Sequence, residues 1–395
     1  MSAILGPFST VMGNPLFDVV DRGLPAPEAS VRMHGEAMAL AIAARIGASP
    51  ARSISFTDFM RACLYEPNLG YYTAGAAKLG EAGDFTTAPE ISALFGRTLA
   101  SVFASISAVG VIELGAGSGA LAKSFRSVNT RSRYRILEVS ADLRERQQRA
   151  LAGHNVTWLD TLPQEIAGIV LLNEVLDATA CELVRFSGER YEQAFVSGDQ
   201  NGFRIQWKAL TSGALFDAAK HRIPPIEGYA SEINLEAEAL AATLASRLSA
   251  AEPAAICFID YGFPRRELYM PSRRQGTLMC HYRHRAHADP LVLPGLQDIT
   301  SHVDFTAMAE ATVDAGAQVI SYSSQARFLL AGGLLDQLQA WPFANESERI
   351  AIHGGVQKLV SPTEMGELFK VLIVGNAQAA EQLSALAEID ESYRL

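Results

Sequence analysis

A chain of 395 residues, 49% hydrophobic and 19% charged, has the composition of a folded protein of one or two domains and excludes a disordered or fibrous one. Its 33 Lys and Arg against 43 Asp and Glu leave a net charge of −10, which argues against non-specific nucleic-acid binding and against an anionic membrane surface, since both need basic patches. Four cysteines without CxxC pairing point to a reducing compartment. No apolar run reaches the length of a membrane span, and no basic residue precedes Arg22, so a cytoplasmic protein is expected.

In chain order, residues 1–30, rich in Gly, Pro and Ser, read as a flexible arm. Residues 31–105 read as a helical region. Within it Ser55 caps a helix that begins at Phe56 and that Pro67 stops, and another helix spans about 90–105. Short apolar runs at 110–114, 133–139, 155–159 and 168–173 alternate with helical patterns, the signature of βαβ units and a parallel sheet. Residues 181–209 break that rhythm with alternating runs separated by Gly and Asp, which predicts an antiparallel hairpin or meander. A helix is expected over 231–249 and a buried strand over 254–260. An irregular excursion spans 263–300, then a helix near 303–315 capped by Asp304, a strand near 317–321 and a last strand near 368–374. The core is expected over 106–395.

The run Glu113-Leu114-Gly115-Ala116-Gly117-Ser118-Gly119-Ala120 takes a strand into a glycine-rich turn and a helix, the way an open α/β sheet presents a nucleotide-like cofactor. Gly115-x-Gly117-x-x-Ala120 satisfies the loose dinucleotide fingerprint, which keeps an NAD-dependent oxidoreductase open as an alternative, and Glu138 falls where a ribose-binding acid is expected. A carboxylate at Glu113, however, conflicts with a pyrophosphate and suits a cationic, phosphate-free ligand such as S-adenosyl-L-methionine. A third polar strand end, Asn173-Glu174-Val175-Leu176-Asp177, is the candidate acceptor site: carboxylates at Glu174 and Asp177 would localise the charge of a guanidinium nucleophile. Alternatively, Asn173 caps a following helix. A fourth polar end is Asp260-Tyr261-Gly262. Cys280, His281, His284 and His287 lack an acidic or Cys-rich set and sit among arginines, so no metal is expected.

Six motifs, in order, resemble the MidA-like family of S-adenosylmethionine-dependent methyltransferases: Asn68-Leu69-Gly70-Tyr71-Tyr72, Gly83-Asp84-Phe85-x-Thr87-Ala88-Pro89-Glu90, the 113–119 turn, Asn173-Glu174-x-x-Asp177-Ala178, Ile259-Asp260-Tyr261-Gly262, and Pro294-Gly295 through Phe305. The resemblance spans roughly residues 50–390. It implies a Rossmann-like class I methyltransferase sheet with an N-terminal helical region over the cofactor site and antiparallel and irregular insertions near 181–209 and 263–300. It also implies Gly83, Asp84, Phe85 and Thr87 over the cofactor, with Glu113, Gly115, Gly117, Gly119 and Glu138 holding it and Asn173, Glu174 and Asp177 on the acceptor side. Mitochondrial members are arginine methyltransferases required for assembly of respiratory complex I, which implies a protein substrate. A non-catalytic assembly factor using the same fold is the alternative. One departure is plain: Thr179-Ala180-Cys181-Glu182 stands where the family continues with Leu-Pro.

Overall fold

Seven apolar runs lie side by side in the central sheet of the computed structural model, which describes residues 14–74 and 86–395. They are β1 (Val111–Leu114), β2 (Tyr134–Leu137), β3 (Val156–Leu159), β4 (Gly168–Asn173), β5 (Ala254–Phe263), β6 (Gln318–Ser324) and β7 (Phe369–Gly375). Their order is β3-β2-β1-β4-β5-β7-β6. Strands β1 to β5 pair in parallel, and β7 runs antiparallel to both β5 and β6. This is the mixed α/β, Rossmann-like sheet expected from the sequence.

The strands read as continuous apolar runs because helices cover both faces. Strand alternation then sorts each side chain. Val111, Ile169, Leu171, Cys257 and Ile259 join Leu94, Phe95, Leu99 and Phe125 on one side. Ile112, Val170, Leu172, Ile256 and Phe258 join Ala241, Leu244, Phe305 and Met308 on the other. Each fully buried Leu, Ile, Val or Phe stabilises the fold by about 1.5–3 kcal/mol.

Gly168, at the start of β4, has φ +89°, and a Cβ there would lie 2.1 Å from the carbonyl oxygen of Gly110. Both the left-handed backbone and the close approach demand glycine. Gly168→Ala is expected to cost about 2–4 kcal/mol from strain and overpacking combined, read as a lowered urea midpoint; an unchanged midpoint would contradict this packing.

A second, antiparallel sheet stands apart from the first. The meander Glu182–Ser187, Arg190–Asp199 and Gly202–Ala209 is joined by Tyr229–Ile233 and the short strand Ile54–Ser55. Helices Ala29–Ala48 and Phe56–Tyr65 pack near it, and Phe59, Met60, Cys63 and Leu64 share a core with Cys181, Val196 and Leu293. Ser55 caps the second helix as expected, its hydroxyl accepting from the Asp58 N–H at 3.0 Å.

The structure corrects four expectations. Residues 231–233 belong to a strand, and the expected helix begins at Leu235 under the Asn234 cap; pairing with Glu182–Phe186 overrides the local Ala- and Glu-rich helical pattern. The excursion at 263–300 contains a small sheet of Met279–Tyr282, Arg285–His287 and Asp298–Thr300. No helix follows Asn173, so it is not a helix cap. In the described part of the expected arm, Leu16, Phe17, Val19 and Leu24 are buried, so apolar burial holds residues 16–24 against the fold.

Candidate active site

The sheet register brings the polar strand ends together. Leu114 lies beside Leu137 and Leu172, and Asn173 beside Ile259, so Gly115, Glu138, Glu174 and Asp260 follow on one rim. A cleft of about 690 Å³ opens over that rim. Ligands of open α/β sheets bind at this carboxyl end.

One side of the cleft is the glycine turn. Gly115, Gly117 and Gly119 have φ of +63°, +54° and +84°, and the turn delivers the chain into helix Ala120–Val128. Gly119 stands at the helix start, behind the cleft wall, while Gly115 and Gly117 line the cleft. Glu113 is buried, and its Oε2 accepts from the Tyr134 hydroxyl at 2.7 Å. Burial pushes its carboxyl up to about 8, against the opposing pull of that hydrogen bond. Glu138 accepts from the Ser140 N–H at 3.0 Å and from Gln147 Nε2 at 2.9 Å. Burial raises it too.

The opposite side is built on the 173–179 turn. Glu174 has φ +54°, a conformation that a side chain with a Cβ rarely adopts. Its Oε1 accepts from the Ala88 N–H at 3.3 Å and from Asn173 Nδ2 at 3.1 Å, and burial pushes its carboxyl up to about 8. Asp177 does not reach the cleft lining; it lies buried beneath the wall, where Tyr261 donates to it. Asp260 organises this turn from below, its Oδ2 accepting from the N–H groups of Val175, Leu176 and Asp177 at 3.0–3.3 Å. Burial raises both aspartates. Where the Leu-Pro step is missing, Thr179 closes the turn by donating to Leu176 O at 2.5 Å and accepting from Asn234 Nδ2 at 2.8 Å.

Tyr65 and Tyr72 line the cleft as a stacked pair, centroids 5.5 Å apart. Their hydroxyls donate to Ala178 O and Asp298 Oδ1, each at 3.0 Å. Tyr72 lies in a motif quoted from the sequence; Tyr65 carried no signal beyond its place at a helix end. Thr87 lines the cleft as the N-cap of helix Ala88–Ile91. Gly83, Asp84 and Phe85 lie outside the described residues. Among the described residues of the lining, Arg61 is the one cation, and it is engaged by Asp58 at 2.6 Å and by Glu236.

A family model described as "Putative S-adenosyl-L-methionine-dependent methyltransferase" matches residues 94–323, more than half of the chain. The chain belongs to this methyltransferase family. A crystal structure of a Burkholderia thailandensis protein bound to S-adenosyl-homocysteine is 38% identical, with a TM-score of 0.87, covering 94% of this chain and all of that one. A native crystal structure of a protein from the same organism is 39% identical over the same shares, with a TM-score of 0.83. Protein arginine methyltransferase NDUFAF7 of Danio rerio is 27% identical over 83% of this chain and 85% of its own length; its human counterpart is 25% identical over 80% and 78%. These relatives carry the MidA-like resemblance, and S-adenosyl-L-methionine is the cofactor, which replaces the dinucleotide alternative.

The residues present fit that cofactor. Gly115 and Gly117 present no Cβ to the cleft, which allows close approach, and Glu113 and Glu138 line it with no cation bonded to either that would recruit phosphate. The raised carboxyls make affinity depend on pH. In the folded, cofactor-free protein Glu113 and Glu174 keep their protons up to about pH 8, against 4.5 for the ordinary group. Their contribution to stability is therefore present below about pH 4.5 and lost as pH rises through 8. A cationic ligand favours the ionised acids, so S-adenosylmethionine binding at pH 7 is expected to release protons, seen as buffer-dependent heat in calorimetry. Equal heats in all buffers would refute it.

Proposed function

We propose that this methyltransferase modifies arginine side chains of a protein substrate, with Glu174 and Asn173 facing the acceptor and Asp177 and Asp260 shaping the turn that carries them. Asn173 carries the reading: its Oδ1 is buried in the cleft lining with no hydrogen-bond partner among the described residues, next to the Glu174 carboxyl. A guanidinium fork, with donors in one plane, satisfies such an oxygen and a carboxylate together. When bound, S-adenosylmethionine supplies an electrophilic methyl group on a sulfonium.

The chain's own part is positioning and proton handling. Glu113, Gly115 and Gly117 hold the cofactor, Glu138 its ribose, and Thr87 forms part of the wall beside it. Glu174 in its ionised form takes the proton that the guanidinium nitrogen gives up, and its elevated pKa matches that task near neutral pH. Tyr65 and Tyr72 exclude water and offer an aromatic face to a cation. The names of the NDUFAF7 relatives support the arginine acceptor, and the resemblance to the mitochondrial members suggests a subunit of a respiratory complex. Four buried free thiols fit a cytoplasmic location, and no helix of the described residues is long and apolar enough to cross a membrane.

The test is transfer of label from S-adenosylmethionine into host proteins, followed by hydrolysis and identification of the modified residue. Labelled methylarginine is the expected product; label in lysine or in a small molecule would overturn the acceptor assignment. Binding of the cofactor with no labelled product in any fraction would favour the non-catalytic assembly factor.

A further inference from the structure

Helix Ala141–Ala150 has one buried residue, and it is polar: Gln147, with no exposed surface. Packing alone would be served better by Leu or Met at such a position, because a buried amide must find partners for all its polar atoms. Gln147 finds them, and they converge on the cofactor side. Its Nε2 donates to Glu138 Oε2 at 2.9 Å and to the carbonyl oxygen of Gly117 at 3.0 Å. Its Oε1 accepts from Trp158 Nε1 at 2.9 Å. Trp158 donates only, so the amide has one workable orientation: flipped, it would set its oxygen against a carboxylate and a carbonyl.

We infer that Gln147 is the positioning residue of the cofactor site, coupling the ribose-facing carboxylate of Glu138 to the glycine turn at Gly117 through one amide nitrogen. Its side chain does not line the cleft and acts through the two groups it holds. Glu138 has one oxygen tied to the Ser140 N–H and the other to Gln147, so its carboxylate is fixed before any ligand arrives. The same amide fixes the Gly117 carbonyl. Because the peptide is trans, the Ser118 N–H is thereby aimed away from Gln147. Trp158, on β3, anchors the amide in turn, so strand β3 reaches the site through a chain of two side chains. This inference rests on the assignment of Glu138 to the ribose.

The experiment compares S-adenosylhomocysteine with its 2′,3′-dideoxyribose analogue by calorimetry on the wild type, Gln147→Leu, Glu138→Gln and the double variant. Gln147→Leu is expected to weaken S-adenosylhomocysteine by about ten- to thirtyfold, the scale of a hydrogen bond to a charged group, and to weaken the dideoxy analogue, which keeps only the glycine-turn arm, by a few-fold at most. The double variant should bind no more than a few-fold more weakly than Glu138→Gln, because the ribose arm is already lost in that variant and only the glycine-turn arm remains. Trp158→Phe, which removes only the anchor, should give a smaller loss in the same direction. In a protein whose other tryptophans, Trp207 and Trp341, are replaced by Phe, ligand binding should shift Trp158 emission, and Gln147→Leu should abolish the shift. Equal weakening of both ligands would make Gln147 a packing residue and overturn the inference. If Glu138→Gln leaves S-adenosylhomocysteine binding unchanged, the ribose assignment fails and the inference falls with it. If Glu138→Gln weakens binding and Gln147→Leu does not, the inference alone fails.

Discussion

Replacing Glu174 with Gln is expected to lower the rate of methyl transfer by about 10²–10⁴-fold, the usual contribution of a positioned general base, with S-adenosylhomocysteine affinity kept within a few-fold. Gln has the same shape and retains an oxygen for the Ala88 N–H, so the turn stays in place. It cannot accept a proton. The backbone at Glu174 holds a left-handed conformation worth about 1–3 kcal/mol of strain for a residue with a Cβ, and its N–H donates to Ile259 O at 2.9 Å on the neighbouring strand. Strain retained at the head of a cleft fits a residue kept for its chemistry. Single-turnover kinetics alongside calorimetry separate the two effects. A variant that still methylates at half the wild-type rate would remove Glu174 from proton transfer.

Asp260→Ala is expected to have the largest effect on folding, about 3–5 kcal/mol. One oxygen of Asp260 accepts from three consecutive N–H groups, at Val175, Leu176 and Asp177, and the other from the Tyr261 N–H at 3.0 Å. Removing the carboxylate leaves four donors unmatched, those of Leu176 and Asp177 buried and those of Val175 and Tyr261 part-buried, and an unmatched donor costs about 1–3 kcal/mol where water cannot replace the partner; water reaching the part-buried pair keeps the sum below the simple total. Asp260→Asn keeps an acceptor for the three-residue arc and should cost much less. Thermal unfolding checks the pair. An Ala variant as stable as the Asn variant would mean that the arc of N–H groups is satisfied some other way.

The parts of the site that a single strand can encode were legible in the sequence. An apolar run closing on an acid predicts both the strand and the rim position, and Glu113, Glu138, Asn173 and Glu174 all line the cleft. The rest depends on pairing across distance. Ser231–Ile233 reads as the start of a helix until Glu182–Val184 lies alongside it. Met279–Tyr282 finds its partners in Arg285–His287 and, across a longer loop, Asp298–Thr300, with no local alternation to announce them. Gln147 sits in a polar helix where nothing marks it out, since its value comes from Gly117, Glu138 and Trp158, which converge only when folded. Asp260 was visible as a strand end, but its role required the 174–177 turn to be placed above it. Asp177, legible as a candidate, lies beneath the cleft wall for the same reason: the turn presents Glu174 upward and sends Asp177 down.

The placement of β7 has a consequence for how the protein is made. Strand β5, which carries Asp260, pairs on one side with β4 and on the other with β7, and about 105 residues separate the end of β5 from the start of β7. At a synthesis rate of about 5–20 residues per second, that edge stands open for roughly 5–20 s on the ribosome. During that interval Cys257, Phe258 and Ile259 present an unpaired, apolar strand, the kind of edge that recruits other chains. A newborn chain halted before residue 369 would expose a sticky edge beside a half-built cofactor cleft, so chaperone capture of nascent chains should peak between the emergence of β5 and that of β7.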